Sequence, residues 1–199
     1  MNKVVLPWDL AAGNPRRFEV LAARLVGQIV SAVYYQPVSD GEWPDGHRHD
    51  TVHEIDMALK FSLVSGESLV ARWEMQGLNE GLGVGLFGDA AAGEFDGVDF
   101  IDVSETPEWQ PLLGMPIIHA MGAFHVPNEG CPEALWAMRL DFSGGRSAVV
   151  ALGEMAGDSL GYLPDGLVAI FDEAEAREYR IGSSAQSAWG SPQTQKGAG

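Results

Sequence analysis

Two stretches of strictly alternating side chains constrain the fold of this chain more than any other feature. In the first, Met57, Leu59, Phe61 and Leu63 interleave with Ala58, Lys60 and Ser62. Ser65-Gly66 interrupts the run, and Leu69, Ala71, Trp73 and Met75 return on one side. In the second, Trp136, Met138, Leu140 and Phe142 interleave with Ala137, Arg139 and Asp141; Gly144-Gly145 turns the chain, and Ala148, Val150 and Leu152 return. A period of two places alternate residues on opposite faces of a pleated strand, and a glycine-bearing turn between two such runs closes an antiparallel hairpin. Each hairpin has an apolar face to bury, which one compact body containing both would satisfy.

The two hairpins also match each other. A shift of 79 residues aligns Glu54, Ala58, Gly66, Ser68 and Val70 with Glu133, Ala137, Gly145, Ser147 and Val149. Upstream, Leu25-Val26-Gly27 leads into a strand as Leu112-Leu113-Gly114 leads into Ile117-Ile118. This order of helical turn, glycine, strand, loop and hairpin reads as an ancient duplication. The expected fold class is α+β, mainly β: two similar antiparallel β-meander halves with a few short helices. Residues 1–103 and 104–182 form the halves of one compact unit.

Helix signals are few. Asn14-Pro15 opens a helix whose apolar positions are Phe18, Leu21, Ala22 and Leu25, and Gly27 ends it. Thr106-Pro107 opens a second, which Pro111 limits to about one turn. Asp172 with Glu175 forms a capping box for a third, with Arg177 and Arg180 toward its end and Gly182 closing it. Residues 36–50, rich in Pro, Gly and Asp, read as a loop. Residues 183–199, mostly Ser, Gly, Gln, Ala and Pro, read as a disordered tail.

Charge narrows the function classes. Lys plus Arg number 12 against 28 Asp plus Glu, a net charge of −16. Nucleic acid needs a basic footprint and anionic membrane a polybasic one, so neither is an expected partner. Between Arg72 and Arg139 there is no cation, while eleven acids occur. Among them, Asp89, Glu94, Asp96, Asp99, Asp102, Glu105 and Glu108 lie close together and predict a sustained negative surface suited to docking a basic protein. The candidate partner-binding residues are Glu94, Asp96, Asp99, Asp102, Glu105 and Glu108. A single Cys131 forms no internal disulfide, and the N-terminus makes a poor secretion signal; a cytoplasmic location is the simplest reading.

Three motifs invite chemistry. Gly157-Asp158-Ser159-Leu160-Gly161 fits the nucleophile-elbow pattern, but no His follows His125 to serve as base, and a turn is the simpler explanation. Gly83-Val84-Gly85-Leu86-Phe87-Gly88 fits a dinucleotide fingerprint without a crossover helix after it; alternating glycines suit a strand lying under a bulky neighbour. His47, His49 and His53 lie within seven residues of one another. They share one side if the segment is extended, and imidazoles so placed are candidate metal ligands. No cofactor motif is complete. Trp73 and Trp136 belong to apolar strand faces, whereas Trp8, Trp43 and Trp109 fall near loops and are candidates for exposure.

Leu25-Val26-Gly27 with the strand after it, Trp73-Glu74 closing a hairpin, and Leu167-Val-Ala-Ile-Phe-Asp172 together resemble a class of small acidic bacterial proteins, some of which act as immunity proteins for secreted toxins. The resemblance implies a non-enzymatic acidic binding protein that neutralises a basic toxin or effector. Two alternatives stand beside it: a metal-dependent enzyme built on His47, His49 and His53, and a small-molecule-binding module with its ligand between the halves.

Overall fold

The computed structural model describes residues 15–38, 43–88 and 100–190. Helix α1 (Pro15–Leu25) buries Phe18, Leu21 and Leu25 on one face, and Gly27 at φ 86° turns the chain out of it. The strands of the first half are β1 (Val30–Gln36), β2 (Arg48–His49), β3 (Val52–Glu54), β4 (Ala58–Leu63), β5 (Ser68–Gln76), β6 (Asn79–Phe87) and β7 (Ile101–Asp102). Those of the second are β8 (Ile117–His125), β9 (Ala134–Phe142), β10 (Arg146–Leu152), β11 (Glu154–Ala156), β12 (Ser159–Gly161) and β13 (Leu167–Ile170), followed by helix α2 (Glu173–Glu178). Both alternating hairpins form as expected, as β4–β5 and β9–β10.

The strands build two main antiparallel sheets, ordered β6-β5-β4-β1-β7 and β2-β3-β13-β10-β9-β8, with β11-β12 as a separate small hairpin. One hydrophobic core joins them, drawing Leu59, Phe61 and Leu82 from the first sheet and Trp136, Leu140 and Val150 from the second. The sheets do not follow the division at residue 103. The segment read as a loop contributes β2, and β3 pairs with β13 through Val52↔Ile170 and Ala169↔His53. The first half thereby extends the second half's sheet.

The two meanders run β1-β4-β5-β6 and β8-β9-β10-β13; the first pair of each has an irregularity near its start, and β8–β9 has a second at Ala123/Phe124 that β1–β4 lacks. Val30 and Ala32 span an irregularity opposite Leu63 and Ser62; Ile117 and His119 span one opposite Phe142 and Asp141. Where the meanders meet, Gly27 N–H donates to Ile117 O at 2.8 Å and Gly114 N–H donates to Val30 O at 2.9 Å. Both glycines have positive φ.

The glycine-rich motif is strand β6. A Cβ at Gly85 would lie 2.6 Å from the Phe87 ring, and one at Gly83 would lie 2.9 Å from the Glu74 side chain. The bulky neighbours expected over the glycine face are therefore an aromatic ring and a carboxylate stem. The elbow-like motif is the β11–β12 turn, with Gly157 at φ 68° and Ser159 Oγ donating to Ala156 O.

At the C-terminal end the expectation of a disordered tail fails over residues 183–190. Ala188 is buried, Trp189 N–H donates to Ala176 O at 3.0 Å, and Ser184 Oγ donates to Phe124 O at 2.7 Å. The Trp189 ring lies against Arg139 and Arg177, at 4.2 and 4.9 Å from their guanidinium carbons. Polar composition hides a segment held by Ala188 and Trp189 together with polar anchors, Gln186 Oε1 accepting from Phe124 N–H and Ser184 Oγ accepting from Trp136 Nε1–H. Residues 191–199 lie outside the described part. α2 closes at Tyr179, ahead of Gly182, with the Asp172 side chain accepting from Glu175 N–H as the capping box requires.

Candidate functional site

The densest polar chemistry lies where the two sheets meet beneath residues 106–109. Tyr35 from β1, His53 from β3 and Trp109 are all fully buried. Trp109 Nε1–H donates to Tyr35 Oη at 2.6 Å, and Tyr35 Oη lies 2.8 Å from His53 Nδ1. His53 Nε2 lies 3.1 Å from Glu108 Oε2, and Arg48 donates to Glu108 Oε1 at 2.9 Å.

The direction of every proton in this chain follows from donor chemistry. An indole N–H only donates, so it occupies Tyr35 Oη as acceptor and leaves the phenolic proton for His53 Nδ1. A neutral His53 then carries its own proton on Nε2 and gives it to the Glu108 carboxylate. The relay runs Trp109 to Tyr35 to His53 to Glu108, with Arg48 closing it from outside.

Titration behaviour agrees. Burial pushes the His53 pKa down to about 4, outweighing the Glu108 charge that pulls it up. The imidazole is boxed by Tyr35, Trp43 and Phe171 at centroid distances of 5.8, 4.8 and 4.9 Å. Burial also pushes the Tyr35 hydroxyl well above its ordinary range, against the lowering effect of the Trp109 hydrogen bond. At Glu108, burial works upward, but the Arg48 hydrogen bond and neighbouring charges prevail and hold the carboxyl below its ordinary range.

Above the relay, two clefts of about 500 and 400 Å³ share Trp43, Arg48 and Thr106 in their walls. Asp45, Asp50 and Glu108 line the first; Asp102 and Glu105 line the second. Trp43 is held by Nε1–H donation to Glu54 O at 2.8 Å. Among the described residues Arg48 is the single cation lining either cleft, and Glu108 engages it.

The expected site residues fall into four groups. Asp102 and Glu105 are exposed at the cleft, as a docking face requires. Glu108 is turned inward, its side chain 11% exposed and paired with Arg48, so it does not belong to an uncompensated anionic face. Asp89, Glu94, Asp96 and Asp99 lie outside the described residues. The histidines diverge: His47 faces Asp56 at 3.8 Å, His49 faces Glu54 at 3.6 Å, and both ring nitrogens of His53 are engaged within the relay. Among the described residues no three His, Cys, Asp or Glu side chains are grouped to hold a metal ion.

Sequence reasoning missed Tyr35 and Trp109, and placed Trp109 among candidates for exposure. Its signal was faint, since one aromatic in a Pro-flanked turn gives no periodicity. His125 was also missed. It is buried, with Nε2 donating to Glu80 O at 3.0 Å and Nδ1 2.9 Å from Ser183 Oγ.

Among the described residues no helix is long and apolar enough to cross a membrane. No protein-family model matches the chain, and no curated protein or solved structure is found to be similar to it.

Proposed function

We propose that the protein is a non-enzymatic acidic binding protein whose Trp43–Arg48–Thr106 clefts receive the cationic side chains of a basic partner. One observation carries the reading. Arg48 is committed to Glu108, which leaves Asp45, Asp50, Asp102 and Glu105 without an ion-pair partner among the described residues around an aromatic wall. Guanidinium and ammonium groups favour such surroundings, through carboxylate pairing and through contact with an indole face. The relay beneath gives the clefts a fixed floor, since each of its polar atoms is oriented by the next.

Immunity against a basic toxin or effector is the most concrete form of this function, and a cytoplasmic setting fits it. Catalysis by the relay is not part of the reading, because Tyr35 and His53 have no exposed surface to offer a substrate. Native co-purification with mass spectrometry tests it. The expected partner is a protein of net positive charge that dissociates as salt is raised; a neutral or acidic partner held equally at high salt overturns the proposal. We further infer that the two meanders descend from one duplicated unit, a view supported by the irregularity near the start of each first pair and by the reciprocal glycine hydrogen bonds.

A further inference from the structure

A third cleft, of about 340 Å³, opens on the other side of Pro107 and Glu108, with Leu112, Arg146, Phe171 and Trp189 among its walls. Its charge balance is opposite to that of the first two. Glu108 is held by Arg48 at 2.9 Å, and the other acid here, Glu173, is held by Arg177 at 2.7 Å. Arg146 is exposed, and its side chain makes no hydrogen bond, ion pair or ring contact among the described residues. In a chain of net charge −16, Arg146 is the one charged side chain of this lining without a partner among the described residues, beside two acids that each have one, which gives the cleft a point of attachment for an anion.

The apolar walls are fixed before any ligand arrives. Phe171 packs edge-on against Trp109 at 4.7 Å and against His53 at 4.9 Å. Trp189 is tied by its backbone to Ala176, and its ring contacts Arg139 and Arg177. Prearranged walls reduce the ordering cost of binding. The volume falls within the range of small-molecule sites, which join apolar surface to a few orienting polar groups.

We propose that this cleft binds a small organic monoanion, a carboxylate on a flat apolar body, with Arg146 engaging the carboxylate and Phe171 and Trp189 flanking the body. A polyanion is disfavoured, because the negative field of the whole protein opposes each added charge. The cleft shares Pro107 and Glu108 with the cation-receiving clefts, but Arg146, Phe171 and Trp189 line it alone, so its ligand and theirs can be tested apart.

The test is a two-dimensional NMR titration of the intact protein with 3-phenylpropionate and with indole-3-acetate, using neutral 3-phenylpropionamide as comparison. The expected result is saturable shifts at the Trp189 indole and at the Gly145 and Ser147 amides, with Kd on the order of 1 mM for fragments of this size. The amide should bind at least tenfold more weakly, and Arg146→Gln should weaken carboxylate binding at least tenfold. Arg180→Gln removes an exposed cation elsewhere and should leave binding unchanged; the spectra themselves report whether each variant is folded. Equal binding of acid and amide, equal effects of the two substitutions, or no saturable shift with either carboxylate would overturn the proposal.

Discussion

Replacing Tyr35 with Phe isolates the relay, because it deletes one oxygen and leaves the ring in place. That oxygen accepts from Trp109 Nε1–H at 2.6 Å and donates to His53 Nδ1 at 2.8 Å. Its loss orphans one buried donor and one buried acceptor, both on residues with no exposed surface. Each stranded group costs roughly 1–3 kcal/mol, so Tyr35→Phe should destabilise the protein by about 2–6 kcal/mol. An ordinary domain has only about 5–15 kcal/mol in total, so the effect is large. Urea unfolding followed by tryptophan fluorescence at pH 7 measures it. With a slope of about 2 kcal/mol/M the midpoint should fall by roughly 1–3 M at unchanged slope. A loss under about 0.5 kcal/mol, the size of an ordinary surface substitution, would refute the directed relay.

Three further outcomes follow from the same structure. His53 has a folded pKa of about 4 against 6.5 unfolded, so the unfolded chain binds the extra proton between those values; stability should be complete above pH 6.5 and fall by roughly 3 kcal/mol as pH drops to 4. Glu108, depressed by Arg48, adds a loss of the same sign at still lower pH, and His53→Phe should flatten the pH 4–6.5 limb of the calorimetric profile. Gly85→Ala places a Cβ 2.6 Å from the Phe87 ring and should cost about 1–3 kcal/mol by denaturant titration, because a packed strand face must shift. Trp189→Ala removes the ring that contacts Arg139 and Arg177 and should cost about 1–3 kcal/mol, whereas a disordered tail would show no change.

The mainly β architecture was legible because its signal is local. Alternation in Met57–Met75 and Trp136–Leu152 marks the strands, and Gly66 and Gly145 mark turns that need positive φ; burial follows it only in part, because β9 is covered on both faces and β5 ends with Glu74 buried and Met75 exposed. The partition into sheets was not legible. That β3 would pair with β13 depends on contacts more than a hundred residues apart, and three residues carry too little pattern to announce a strand. The candidate site was half legible. Uneven charge pointed to Asp102 and Glu105, which do line a cleft. It also pointed to Glu108, which composition cannot distinguish from its neighbours although Arg48 and His53 draw it inward. The histidine spacing suggested three ligands on one side, yet β2, the turn at Asp50-Thr51 and β3 send them to different acids. The relay required Tyr35, His53, Glu108 and Trp109 to converge from separate segments, which no spacing rule records.

Stopped-flow association with the co-purified partner gives the sharpest view of the central claim. Wild-type protein should associate fast at low ionic strength and slow by an order of magnitude or more between about 50 and 500 mM salt, as screening shortens the reach of the clefts' carboxylates. The Asp45→Asn/Asp50→Asn/Asp102→Asn/Glu105→Gln variant, which leaves the Arg48–Glu108 pair intact, should be slower at low salt and lose less of its rate as salt is raised. Superimposable rates for the two proteins across that range would contradict the account.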